Sequence, residues 1–168
     1  GPENNRCTPV DLAALHVVGG VALARECLIT SHAVAGVRVS GKHSRVLLDS
    51  TRILSCAAIG VWATDEGEAQ LRECEITGSG AAGIYVGDVG GAGFVHARGC
   101  RLQRNRGAGA AGVAGRLRLD DCEILRNGRH GVEALESLRV RIDAGQISEN
   151  CGSGIEVQGH RPDGPERI

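Results

Sequence analysis

The sequence predicts an all-β chain folded as a single-stranded right-handed parallel β-helix, with about six coils of 22–26 residues and a partial N-terminal coil. Three observations predict it: a phrase that returns six times, an apolar alternation on both sides of each copy, and abundant glycine beside only three aromatics. The phrase is clearest as CEITGSGAAGIYV at 74–86 and CEILRNGRHGVEA at 122–134. Aligned on their first residue, the copies begin at Cys27, Thr51, Cys74, Cys100, Cys122 and Gly145, at intervals of 24, 23, 26, 22 and 23. A period of that length marks a solenoid. Alternation every second residue makes its units strands rather than helices. Parallel crossovers of this kind are right-handed. Six coils, each rising roughly 4.8 Å, make a rod about 30 Å long.

The opening segment NRCTPVDLAALHVVGG supplies the partial coil, with Ala14 standing 22 residues before Gly36 and Leu15 and Val17 as its inward pair. In each full coil the first strand centres two residues after the anchor, on Ile29, Ile53, Ile76, Leu102, Ile124 and Ile147. A turn follows, and five residues after the anchor stand His32, Cys56, Ser79, Asn105, Asn127 and Asn150. Stacked asparagines would form a short inward ladder, bonding along the stack and to turn backbone, and asparagine tolerates the left-handed conformation. His32 replaces the ladder asparagine inside or beside its turn.

Nine residues after the anchor every copy has glycine: Gly36, Gly60, Gly83, Gly109, Gly131 and Gly154. That regularity predicts a dihedral or a close approach that a Cβ would block. The second strand then carries inward pairs such as Val37 and Val39, Ile84 and Val86, and Ile155 and Val157. The third carries Val46 and Leu48, Ala69 and Leu71, Val95 and Ala97, Leu117 and Leu119, and Val140 and Ile142. The tail GHRPDGPERI loses the pattern. Residues 1–4 are assigned to a tag scar or disorder, 5–157 to the β-helix, and 158–168 to a linker or the start of a truncated coil. Open coil ends expose unpaired backbone, so end-to-end self-association is expected.

Composition narrows the function. A net charge of -1 argues against a nucleic-acid partner. No run reaches the length of a membrane-spanning helix, so no membrane partner is expected. The seven cysteines are odd in number and mostly widely spaced, which suits reduced, largely buried thiols and an intracellular (cytoplasmic or nuclear) setting. The histidines share no column, and no phosphate-binding or dinucleotide motif occurs, so no metal or cofactor is expected. Asp120, Asp121 and Glu123 read as an acidic patch beside Asp143 of the kind a sugar-cleaving enzyme uses, and solvated surface is the simpler reading.

Eleven residues after the anchor come Arg38, Trp62, Tyr85, Ala111, Glu133 and Glu156. The chain's one tryptophan and one tyrosine therefore fall on adjacent coils, on the outward side, with Arg38 beside them. Aromatics flanked by arginine are favoured interface anchors and can also stack on a sugar ring. The stretch Gly87 to Phe94 starts beside Tyr85 and brings Asp88, and the stretch Thr64 to Glu68 brings Asp65 and Glu66. The candidate binding set is Trp62, Tyr85, Arg38, Asp65, Glu66 and Asp88, with no catalytic residue.

The phrase C-x-I-x-x-[NS]-x-x-x-G-[IV]-x-V resembles the parallel β-helix repeat of the pectin-lyase-like superfamily, of the carbohydrate-binding and sugar-hydrolase type, over residues 22–157. That superfamily includes polysaccharide lyases, hydrolases and epimerases as well as non-catalytic modules. Cysteine at the anchor and frequent glycine look most like the β-helix regions of F-box substrate receptors and SHC-binding proteins. The resemblance implies a non-catalytic scaffold that recognises a protein partner within a multidomain protein. A carbohydrate-binding or carbohydrate-active β-helix and a structural spacer are the alternatives. The enzymes resembled build sugar clefts from long loops, and the loops here are short.

Overall fold

A computed structural model of the chain describes residues 13–159. It is a right-handed parallel β-helix of about six coils after a partial first one, and every strand pairing in it is parallel. Three faces run the length of the rod. The first is built from Leu28–Ile29, Arg52–Leu54, Glu75–Thr77, Arg101–Gln103 and the ends of the long strands Ala110–Leu125 and Val132–Ser148. The second stacks the starts of Ala13–Arg25 and Ala35–Asp49 on Ile59–Thr64, Ile84–Val86, the starts of the two long strands and Ile155–Gly159. The third stacks the later halves of those strands with Glu68–Arg72 and Gly93–Arg98.

The partial coil pairs Ala13 with Ala35, Leu15 with Val37 and Val17 with Val39, so Ala14 takes the glycine position. Four strands run unbroken round the corner between the second and third faces. A register shift there replaces the turn.

Inward residues repeat from coil to coil, and the core is one column of aliphatics and thiols: Ile53, Ile76, Leu102 and Ile124 are all essentially inaccessible. Four of the six described cysteines are buried, whereas Cys27 and Cys151 are exposed, and all six are free thiols. The neighbouring thiols of Cys122 and Cys74, together with burial, push the Cys100 thiol far up, so it stays protonated.

The turn between the first and second faces is held by side chains. Ser79 N–H donates to Asn105 Oδ1 at 3.0 Å, Asn105 N–H to Asn127 Oδ1 at 3.1 Å, and Asn127 N–H to Asn150 Oδ1 at 2.9 Å. Each amide nitrogen then reaches back to a carbonyl one coil earlier, Asn105 to Ile76, Asn127 to Leu102 and Asn150 to Ile124. The left-handed conformation falls on the residue before the asparagine, at Arg104, Arg126 and Glu149, and not on the asparagine itself. The ladder side chain must point inward to meet its neighbours, and the reversal is taken one residue earlier. His32 is exposed in the first coil and stands beside the ladder rather than in it.

Close approach explains the recurring glycine in five of the six copies, Gly154 being the exception, and none of the six has positive φ. A Cβ on Gly109 would sit 2.5 Å from Ile124 Cγ2, 2.8 Å from Asn127 Nδ2 and 2.9 Å from the Gly131 carbonyl. A second left-handed column turns the third face into the first, one residue before the anchor: Glu26, Ser50, Glu73, Gly99, Asp121 and Ala144.

Candidate functional site

The outward column on the second face runs His16, Arg38, Trp62, Tyr85, Ala111, Glu133 and Glu156, each in register with the next. The Arg38 guanidinium lies over the Trp62 ring, 4.6 Å from its centroid. The indole N–H of Trp62 donates to the Gly87 carbonyl at 3.1 Å, which ties the ring to the start of the next loop. Tyr85 packs on Ala82, Ala108 and Ala111, where the absence of larger side chains leaves room for the ring. Both aromatics are half-buried.

The loop 87–92 is a tight structure built around Asp88. Its Oδ1 accepts the N–H groups of Gly90 and Gly91, both at 2.8 Å, and its own N–H donates to the Gly91 carbonyl. That turn leaves Val89 fully exposed at its tip. The preceding corner is joined to the loop by the Glu66 N–H, which donates to the Ala92 carbonyl at 2.7 Å. Asp65 Oδ2 accepts the Ser40 hydroxyl at 2.9 Å. Asp65 and Glu66 both adopt positive φ.

Trp62, Tyr85, Asp65 and Asp88 converge with Val89, Val113 and Glu136 on an open cleft of about 550 Å³. Arg38 flanks it through the Trp62 ring. Glu66 does not line it, and instead borders a separate hollow with Phe94 and Arg116. Val89, Val113 and Glu136 were not anticipated. An isolated apolar residue among loop glycines is the one sequence signal for Val89. The other two are displaced from the repeat by the register shift after Gly112.

Electrostatics give the cleft a negative rim. Burial, then the charges of Glu133, Glu136 and Asp88, push the Tyr85 phenol up, so it remains a neutral hydroxyl well above physiological pH. Burial alone would raise Asp88. The Thr64 hydroxyl beside it, the two glycine amides and the Arg38 charge outweigh that and hold its carboxyl below the usual range. The Thr64 hydroxyl oxygen is outside good hydrogen-bond geometry, so the amides are its firm partners. The cleft offers aromatic edges, one exposed valine, fixed carboxylates and a hydroxyl. These groups can pack against a ligand and hydrogen-bond to it.

The acidic triplet does not form one patch. Asp120 lies on the third face, bonded to Arg118 at 2.9 Å and to His96 at 2.7 Å, and those partners hold its carboxyl below the usual range. Asp121 is a corner residue with φ 51. Glu123 lies on the first face, paired with Arg101 at 2.7 Å. There it belongs to a charge-alternating column, Arg52, Glu75, Arg101 and Glu123, whose other close pair is Arg52 with Glu75 at 3.4 Å. Among the described residues no group of three or more histidines, cysteines or carboxylates is arranged to hold a metal ion. No helix among them is long and apolar enough to cross a membrane.

A family model described as a right-handed β-helix region matches residues 35–162. No curated protein and no solved structure matches the chain.

Proposed function

The chain belongs to the right-handed β-helix family, and we propose that residues 5–157 act as a non-catalytic scaffold that recognises a protein partner through the Trp62–Tyr85 cleft. The observation that carries this is the fixing of the two aromatics. Trp62 is held by Arg38 on one side and by the Gly87 carbonyl at its edge, and Tyr85 is seated on three alanines. Rigid aromatics beside an exposed apolar loop tip lose little entropy on binding and make effective interface anchors. The likeness of the repeat to F-box substrate receptors and SHC-binding proteins supports the same reading by analogy of fold. Buried free thiols agree with an intracellular location.

The test is selection of peptide and protein-fragment binders on the wild-type chain, followed by measurement on Trp62→Ala and Tyr85→Ala. Binders should weaken at least about tenfold with β-sheet circular dichroism unchanged. Selected binders indifferent to both substitutions would defeat the assignment. A sugar ring could also stack on the aromatic edges above the carboxylate rim. A glycan array that showed binding dependent on Trp62 and Tyr85, with no selected peptide binders, would favour that carbohydrate reading instead.

A further inference from the structure

The third face of the rod carries a second surface, of opposite charge to the cleft. Its outward residues lie two, four and six positions before each anchor. In the last two coils the rows at four and six are all arginine: Arg116 is in register with Arg139, and Arg118 with Arg141. Arg72 and Arg98 are register neighbours in the row at two. All six are exposed. Arg118 and Arg141 each hold a carboxylate of their own strand, Asp120 at 2.9 Å and Asp143 at 2.6 Å. No carboxylate of the described residues lies within ion-pair distance of Arg72, Arg98, Arg116 or Arg139. This concentration stands out on a chain with net charge -1.

We propose that this face binds an extended acidic polypeptide segment. The charges present are guanidinium forks; the whole chain has only one lysine, Lys42. A planar fork matches a carboxylate through two parallel hydrogen bonds, where an ammonium acts as a point charge. Spacing favours a peptide. Arg116 and Arg118 are two residues apart on one strand, as are Arg139 and Arg141, and that separation is roughly 6.6–6.8 Å. Alternate side chains of an extended peptide project from one side at the same interval.

Single-stranded nucleic acid fits less well, because its binding grooves combine positive charge with aromatic rings on which successive bases stack. Among the described residues the face has one phenyl ring, Phe94, with the Arg116 guanidinium already over it at 4.9 Å, and one imidazole, His96, already bonded to Asp120 at 2.7 Å.

The probe is a fluorescein-labelled twelve-residue peptide of alternating glutamate and threonine, read by fluorescence anisotropy against the full chain. Binding should weaken steadily with added salt. The double variant Arg116→Gln with Arg139→Gln should raise Kd about tenfold, since each charge-assisted contact at an exposed site contributes modestly. Arg116→Lys with Arg139→Lys should also weaken binding, because charge without the fork is insufficient. Trp62→Ala should leave it unchanged, which separates this surface from the cleft. Circular dichroism and thermal melting establish that the variants stay folded. Unchanged affinity in the folded glutamine variant overturns the proposal. So does tighter binding of heparin or of single-stranded oligothymidine at the same face.

Discussion

Asn127→Ala isolates the hydrogen-bonded ladder that sets the coil geometry. Asn127 is fully buried, and its side chain makes four hydrogen bonds. It donates to the Leu102 carbonyl at 3.1 Å and to Asn150 Oδ1 at 3.0 Å, and it accepts from Asn105 N–H at 3.1 Å and Asn105 Nδ2 at 3.0 Å. Truncation leaves different groups with different alternatives. Asn105 Nδ2 keeps the Ile76 carbonyl, and Asn150 Oδ1 keeps the Asn127 N–H. The Asn105 N–H loses the acceptor that this ladder supplies, in a place water does not reach. An orphaned buried donor costs about 1–3 kcal/mol, and the three other lost bonds about 0.5–1.5 kcal/mol each, so a loss of about 2.5–7.5 kcal/mol is expected. Against the ~5–15 kcal/mol total of an ordinary domain that is a large fraction.

Asn150 is the comparison, because it is part-exposed and near the last described coil. Water can replace part of what Asn150→Ala removes, and about 1–2 kcal/mol is expected there. Urea unfolding followed by far-ultraviolet circular dichroism measures both. An Asn127→Ala loss within ~0.5 kcal/mol of zero, the range of ordinary surface substitutions, would refute the reasoning. Equal losses at the two positions would refute it as well.

Three further outcomes follow from the same geometry. Gly109→Ala should destabilise by about 2 kcal/mol or more because backbone and ladder atoms must move, whereas Gly154→Ala should be near neutral, its nearest neighbour being Ile147 Cγ2 at 3.6 Å; thermal melts of the pair give the contrast. Tyr85 should titrate above the ordinary tyrosine value of about 10 in a spectrophotometric titration. Its folded pKa is raised, so its contribution to stability is complete below the unfolded pKa and is lost as pH rises through the folded one. Glu136→Gln should bring the midpoint down, and an unchanged midpoint would contradict the rim. Alkylation of the native chain followed by peptide mass spectrometry should modify Cys27 and Cys151 ahead of Cys56, Cys74, Cys100 and Cys122; Cys7 lies outside the described residues.

The fold was legible because two periods coincide. Alternation by two names the strand, and a return near 23 residues closes the coil, so the inward residues of the covered coils could be named from the sequence, whereas Ile155 and Val157 of the last described coil are exposed. The corners were less legible. Left-handed backbone falls on Glu26, Ser50, Glu73 and Ala144, residue types with little preference for it, because the stack imposes the reversal at a fixed place. In the candidate site, Arg38, Trp62 and Tyr85 were found adjacent because one fixed stride links them. Glu66 faces a different hollow from its neighbour Asp65, which the stride alone does not show. Glu136 escaped because the register shift after Gly112 breaks the stride. The arginine face was hidden by the mixed-sign row two before the anchor, where Asp49, Asp120 and Asp143 stand among arginines; the rows at four and six carry its clearest signal.

Hydroxyl-radical footprinting of the chain with a selected protein-fragment binder tests the central claim most directly, because it reads side-chain access at the aromatic cleft itself. The scaffold reading predicts strong protection of Trp62, Tyr85 and Val89 in the complex, with the first face unchanged. Full oxidation of all three at saturating binder would contradict it.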